Sequence, residues 1–105
     1  MRTAGLVLAA GFETTVNLLG NGIVLLRRHP EQLTDLERDP EAWPNAVEEV
    51  LRYDPPVQLV GRIAAEDMVI GGVTVPRGDN MLLLTAAANR DPDAVERPGE
   101  FDPDR

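Results

Sequence analysis

The sequence predicts a mainly α-helical fold with a small β-sheet, an α+β arrangement that forms one domain or part of one. Three observations predict it. The first 53 residues have a helical period interrupted twice by proline, the pattern changes to short strand-like runs from residue 57, and Gly71-Gly72 separates two of those runs. With 105 residues and 43% hydrophobic content, the chain can bury a modest core.

Residues 3–28 are predicted to form one long helix. Its apolar residues follow two stripes, so we expect neighbours on both sides. By length, residues 4–26, which are followed by Arg27-Arg28, also fit a membrane span. Glu13 argues against that interpretation, because an acid near the centre costs about 2.5–3.5 kcal/mol on insertion. We therefore favour a helix buried on all sides within a larger protein.

The motif AGFETT at positions 10–15 interrupts this apolar helix. Residues three and four apart share a helix face, so Ala10, Gly11 and Thr14 form a notch of small side chains with a hydroxyl at its edge. Glu13 lies on the neighbouring face. Such a notch lets a small or flat ligand come close to the backbone.

Two shorter helices follow, and each is marked by proline. Pro30 stands at the first position of the second helix, which ends at Asp39-Pro40. Trp43-Pro44 opens the third helix, which runs to about Tyr53 and is terminated by Asp54-Pro55-Pro56. The apolar stripe of the third helix is predicted at Ala46, Val47, Val50 and Leu51, and its polar stripe at Asn45, Glu48, Glu49 and Arg52.

From residue 57 the pattern favours strands. The predicted strands are 57–64, 67–70, 73–75 and 81–88. Gly71-Gly72 indicates a two-residue hairpin turn. The chain is thus treated as one domain, 1–105, with a helical part (1–53), a β-rich part (57–88) and an acidic loop tail (89–105).

Composition excludes several kinds of site. The net charge of −8 argues against nucleic acid and anionic membrane surfaces as partners. The sequence has no cysteine, so disulfides and thiolate metal sites within it are excluded. His29 is the only histidine and cannot build a zinc site alone, so no metal site is predicted from these residues. A cytoplasmic location is expected.

Several motifs, in this order and spacing, resemble those of soluble bacterial cytochromes P-450, which are haem-thiolate monooxygenases. The motifs are AGFETT at 10–15, EVLR at 49–52, GR at 61–62, the hairpin IGG at 70–72, ANRDP at 88–92 and FDP at 101–103. The resemblance covers essentially the whole chain, but only a middle portion of the family fold. It implies a partial cytochrome P-450 fold with haem b as the cofactor.

The resemblance also implies roles for individual residues. Glu13 and Thr14 are similar to the acid–alcohol pair that supplies protons for dioxygen cleavage at the haem. Arg62 matches the arginine that pairs with a haem propionate, since a guanidinium fork suits a carboxylate. The residues implied to lie against the haem are Ala10 and Gly11. Those implied to face the substrate are Val7, Val57, Leu59 and Val60.

Each of these roles has a simpler structural alternative. The Thr14 hydroxyl can bond back to the carbonyl of Ala10 and bend the helix. Arg62 can be an ordinary exposed strand arginine, and residues 57–60 can be ordinary core.

Glu49 and Arg52 resemble the buried structural ion pair of the family. From spacing alone, a helical surface pair worth about 0.2–0.5 kcal/mol is the default, and Glu48 with Arg52 fits equally well. The position that often supplies a third partner is identified as Glu100, whose charge would repel Glu49. Arg97 or Arg105 could take its place.

The leading hypothesis is a segment of a cytochrome P-450 monooxygenase that hydroxylates an apolar small molecule with electrons from a ferredoxin-type donor. The family holds haem iron by a cysteine thiolate, and the sequence ends at Arg105, before the loop where that cysteine is expected. The isolated chain is therefore expected to be inactive. One alternative is a non-enzymatic vestigial or split-gene product that pairs with a complementary fragment. The other is a membrane-anchored helix with a small β module.

Overall fold

The computed structural model describes residues 2–105, with side chains from Thr3 onward; Met1, the first residue of the predicted domain, lies outside this range. The fold is mainly α-helical with two small antiparallel sheets, so the predicted fold class is confirmed. The helices are α1 (Arg2–Arg28), α2 (Pro30–Arg38), a short 3-10 helix (Pro40–Ala42), α3 (Trp43–Tyr53) and α4 (Thr85–Ala88). The strands are β1 (Val60–Ile63), β2 (Met68–Ile70), β3 (Val73–Val75) and β4 (Asn80–Leu83).

Proline sets the starts of the second and third helices, as predicted. Pro30 is the first residue of α2, where the missing N–H would have had no partner in the helix. Pro44 lies in the first turn of α3 in the same way. The short 3-10 helix between them was not predicted. The Asp39 carboxylate accepts a hydrogen bond from the Glu41 amide at 3.2 Å and so caps its start.

The two sheets each contain two strands. β1 pairs with β4, with Val60 opposite Leu83, and β2 pairs with β3, with Ile70 opposite Val73. Gly71 and Gly72 have φ angles of 56° and 81°, both in the left-handed region that a tight two-residue hairpin turn requires. The Gly71-Gly72 hairpin is thus confirmed.

The predicted strand over 81–88 is wrong in its second half. β4 ends at Leu83, opposite the first residue of β1, so the chain beyond it has no strand to pair with. Residues 85–88 instead form α4, and its three alanines favour a helical turn. The predicted strand over 57–64 is also too long, because only Val60–Ile63 pairs and residues 57–59 lie outside the sheet.

The core joins the first helix, the third helix and the tail. Leu25 of α1, Val50 of α3 and Phe101 form its buried cluster, and Leu18, Leu26 and Tyr53 pack against it. Phe101 is only 5% exposed, although it lies in the segment predicted as loop tail. The tail is therefore irregular in backbone but fixed in place by an aromatic anchor.

Most of the large apolar side chains of α1 are exposed in the described part of the chain. The exposed ones are Leu6, Val7, Leu8, Phe12, Val16, Leu19, Ile23 and Val24. By length and composition alone, the helix could also cross a membrane, and the core helix of a soluble protein passes the same test. α1 approaches α3 closely at Gly22, where an added Cβ would lie 3.6 Å from Val50.

Replacing Phe101 tests the anchoring of the tail. We expect Phe101→Ala to lower the free energy of unfolding by about 3–5 kcal/mol, because a nearly buried ring is removed, and Phe101→Leu to cost less. Phe12 is 67% exposed, and Phe12→Ala should change stability by about 0.5 kcal/mol or less. Denaturant unfolding followed by circular dichroism measures all three variants. Equal losses for Phe101→Ala and Phe12→Ala would contradict the assignment of the core.

Candidate functional site

Thr14 and Glu13 lie in the middle of α1. The Thr14 hydroxyl donates a hydrogen bond to the carbonyl oxygen of Ala10 at 2.7 Å, which is the contact that the simpler structural alternative requires. The hydroxyl oxygen still has lone pairs that can accept a hydrogen bond. Thr14 is half-buried and Glu13 is exposed. The acid therefore faces solvent in this chain, beside a hydroxyl that is directed at its own helix.

The helix face beside Gly11 is open. An added Cβ at Gly11 would meet no atom within 4 Å, and Ala10 is exposed. Val7, one turn earlier on the same side, is also exposed. This face offers small and apolar groups to a ligand, and within the described residues no atom obstructs the approach to Gly11.

Arg62 lies on β1, opposite Met81. Its Nη1 atom donates a hydrogen bond to the neighbouring Gly61 carbonyl at 2.8 Å, and its side chain is exposed. Within residues 3–105 no carboxylate forms an ion pair with it. A guanidinium with unused donors can bind an external carboxylate in a bidentate geometry.

The residues implied to face substrate are apolar and accessible. Val57 and Leu59 are exposed and lie in the irregular segment before β1, whereas Val60 is half-buried and begins that strand. Among the described residues, no hydrogen bond or ion pair joins Glu13, Thr14 and Arg62 to one another. The same residues contain no group of three or more potential metal-ligating side chains.

Glu49 and Arg52 form a buried ion pair on α3. Nε of Arg52 lies 2.7 Å from Oε2 of Glu49, and Nη2 lies 2.8 Å from Oε1. Glu49 is only 4% exposed, so this is not the helical surface pair that spacing alone favours. Val47, predicted on the apolar stripe, is instead exposed. The pair faces the tail, and the tail removes it from water.

Every N–H group of the Arg52 guanidinium has an acceptor. Besides the two bonds to Glu49, it donates to the backbone carbonyls of Asn89 at 3.1 Å, Pro98 at 3.0 Å and Glu100 at 2.8 Å. A guanidinium has five such donors, and all five are used here. One side chain therefore joins α3 to the turn after α4 and to the tail.

The expected repulsion between Glu100 and Glu49 is wrong. The Glu100 carboxylate pairs with Arg97 at 2.6 Å, and only its backbone carbonyl contributes to the Arg52 network. The third charged partner is Arg105, whose Nε lies 3.5 Å from the Glu49 carboxylate. The amide of Asp102 also donates to Glu49 at 2.8 Å. The carboxylate thus accepts hydrogen bonds from Arg52 and Asp102 and has Arg105 as a second charged neighbour.

The network also shifts a pKa. Hydrogen bonding with Glu49 is the main cause that raises the pKa of Arg52 above its ordinary value, and partial burial opposes it. A base whose pKa is raised on folding contributes stability at every pH below the pKa of the unfolded state. The contribution of Arg52 is therefore present throughout the physiological range and is lost only in strong alkali.

Two further residues act on α3, although the sequence indicated only a turn at their positions. The Asn89 amide donates to the carbonyl of Leu51 at 3.3 Å, and Arg90 donates to the carbonyl of Tyr53 at 2.6 Å. The Arg90 guanidinium also lies 4.3 Å from the centre of the Tyr53 ring. The last carbonyls of a helix have no partner within it, so these side chains complete the end of α3.

Comparison with known proteins identifies relatives along the whole chain. The family model described as Cytochrome P450 matches residues 41–105. Cytochrome P450 140 of Mycobacterium tuberculosis is 56% identical over 102 residues, which are 97% of this chain and 23% of that protein. Vitamin D(3) 25-hydroxylase of Pseudonocardia autotrophica is 50% identical over 100 residues, 94% of this chain and 25% of that protein.

A solved structure is equally similar. Mycobacterium smegmatis CYP164A2 with econazole bound superimposes with a TM-score of 0.92 at 53% identity, covering 98% of this chain and 26% of that one. The chain thus spans about a quarter of the length of the relatives that it matches.

The donor count at Arg52 predicts the effect of a charge-conserving substitution. Lysine has three donors and arginine five, so Arg52→Lys loses at least two of the five hydrogen bonds, at about 0.5–1.5 kcal/mol each, and we expect about 1–3 kcal/mol of lost stability. Arg38→Lys is the matched control, because Arg38 forms only an exposed pair with Asp35 at 3.3 Å; its effect should be about 0.5 kcal/mol or less. Denaturant unfolding measures both. A loss no larger than that of the control would show that the network does not hold the tail.

Proposed function

Because this chain belongs to the cytochrome P450 family, we propose that it forms part of a haem-dependent monooxygenase that hydroxylates an apolar small molecule. One oxygen atom of dioxygen enters an unactivated C–H bond, and the other leaves as water after two electrons and two protons are supplied. A ferredoxin-type protein is proposed as the electron donor. The observation that carries the proposal is the family match over residues 41–105, a range that contains the Arg52 network.

The residues present fit part of a haem site. Arg62 is exposed and without a carboxylate partner among residues 3–105, which supports a role in holding a propionate. The open face at Ala10 and Gly11 supports close approach of a flat ring. The 105 residues contain no cysteine, so a thiolate ligand would have to come from outside them. Haem, when bound, supplies dioxygen binding and reductive cleavage of the O–O bond.

Glu13 and Thr14 are proposed to move protons toward that cofactor. The Thr14 Oγ1 atom can donate one proton and accept another, so it can relay a proton without a net change of charge. Its proton now lies on the bond to Ala10 and would have to rotate toward the ligand side. Glu13 is exposed, which supports its role as the group that exchanges protons with water.

The remaining side chains of the candidate site fit an apolar substrate. Val7, Val57 and Leu59 are exposed aliphatic groups, and Val60 is half-buried. Exposed aliphatic side chains gain free energy when they contact an apolar ligand, at about 25 cal/mol per Å² buried. They offer no charge or hydrogen bond with which to bind a polar substrate.

The second candidate is non-enzymatic: a polypeptide that pairs with a complementary fragment. The exposed apolar residues along α1 favour it, because an apolar surface of this length is normally covered. Circular dichroism and size exclusion of the chain, alone and co-expressed with the rest of a relative, would separate a lone folded unit from a pairing fragment. A membrane-anchored helix would instead resist carbonate extraction.

The lack of cysteine predicts the behaviour of the isolated chain. Mixed with haemin, dithionite and carbon monoxide, the 105-residue polypeptide should give no thiolate-type Soret band. A chimaera in which these residues replace the matching segment of the Pseudonocardia hydroxylase should give that band. A thiolate-type band from the polypeptide alone would contradict the first expectation. A chimaera that folds but does not bind haem would contradict the proposed function.

The proposed role of Thr14 predicts a hydroxyl requirement in the same chimaera. Removing one group that transfers protons costs about 10²–10⁴-fold in rate, so Thr14→Val should lower the turnover of vitamin D3 by at least about 100-fold. Thr14→Ser should retain most activity. Thr34→Val is the control, because the Thr34 hydroxyl also donates to the carbonyl four residues earlier, at 2.9 Å. Equal turnover of Thr14→Val and Thr34→Val would exclude a proton-transfer role.

A further inference from the structure

The segment that links α3 to β1 is held by side chains from two other helices. The Asn21 amide of α1 donates to the Asp54 carbonyl at 2.8 Å, and the Thr85 hydroxyl of α4 donates to the Val57 carbonyl at 2.8 Å. The backbone amide of Ala86 adds a bond to the Gln58 carbonyl at 3.1 Å. Three contacts, at residues 54, 57 and 58, thus hold a segment that belongs to no sheet.

Asn21 lies on the same face of α1 as Thr14. The two residues are seven positions apart, which is about two turns, or about 10 Å along the helix axis, with an angular offset of about 20°. Asn21 is half-buried in a helix that is otherwise largely apolar. It binds the carbonyl of Asp54, where the chain leaves α3. The linking segment therefore starts on the face of α1 that carries the proposed proton-relay hydroxyl.

The side chains of the segment do not hold it in place. Val57, Gln58 and Leu59 are all exposed, so little apolar burial fixes their positions. Pro55 is buried and restricts the backbone before them, but proline fixes only its own φ angle. The remaining freedom of the segment is limited by hydrogen bonds to its carbonyls, and two of those bonds come from Asn21 and Thr85.

We propose that Asn21 and Thr85 are positioning residues that fix the path of residues 57–59 and thereby shape the substrate pocket. The inference rests on the proposed function, in which Val57 and Leu59 face the substrate. Neither Asn21 nor Thr85 needs to touch the substrate. Each acts through one backbone carbonyl, at Asp54 and at Val57.

Amide hydrogen exchange of the 105-residue chain tests the positioning itself, independently of haem. Thr85→Val retains the shape of the side chain but removes the hydroxyl. We expect it to speed exchange at Ala86, whose amide binds the same segment, by about threefold to tenfold, the effect of one hydrogen bond. Asn21→Leu should speed it as well, Thr85→Ser should restore protection, and Thr34→Val should leave it unchanged. Exchange at Ala86 that is the same in all variants would overturn the proposal.

Ligand binding to the chimaera tests the effect on the pocket. Vitamin D3 is the large probe, and imidazole, which needs only the iron and its immediate surroundings, is the small one. Thr85→Val should weaken vitamin D3 binding by about threefold to tenfold and change imidazole binding by less than about twofold, with recovery in Thr85→Ser. Equal weakening of both ligands, or of neither, would overturn the role in shaping the pocket. A chimaera without haem would contradict the proposed function, while the exchange result would still decide the positioning.

Discussion

The Arg52 guanidinium forms the hydrogen-bond network on which the rest of the structure depends. Its five donors bind the Glu49 carboxylate and three backbone carbonyls, so α3, the turn after α4 and the tail meet at one planar group. Removing two charges from water is costly, and a buried pair of this kind is often no more stabilising than apolar residues. Here the pair fixes the positions of its partners, because a planar guanidinium donates hydrogen bonds only in set directions. The irregular tail acquires a defined path through it.

The parts of the fold that could be predicted are those that do not depend on contacts between distant residues. Helix starts and the Gly-Gly hairpin follow from the backbone geometry of proline and glycine, which can be recognised in the sequence. The burial of Glu49 does not follow from its own helix, because the groups that cover it come from residues about 50 positions later. Arg105, one of the two residues expected to replace Glu100 as the third partner, also approaches Glu49 from the tail. At Glu100 the backbone carbonyl, and not the side chain, binds Arg52, and a residue pattern does not indicate such a contact.

The strand predicted over 81–88 was too long for a related reason. Its apolar character is nearly continuous, so hydropathy alone does not mark the end of β4. The end is set by the partner, because β1 begins at Val60, opposite Leu83. For the candidate site, the sequence singles out a polar interruption in α1, and the role of its residues stays a prediction. Where its groups point depends on neighbours, and in this chain Glu13 is exposed and the Thr14 hydroxyl is directed at Ala10.

That last contact has a thermodynamic consequence for α1. In a regular helix the Ala10 carbonyl already accepts the backbone amide of Thr14, so it serves two donors from the same residue. If the hydroxyl rotates away, the carbonyl keeps its amide partner and is not orphaned. Re-aiming the hydroxyl then sacrifices one redundant bond, about 0.5–1.5 kcal/mol, and leaves the helical ladder intact. The Thr14 hydroxyl can therefore exchange the Ala10 carbonyl for another acceptor at a small cost in free energy, while the backbone of α1 stays helical.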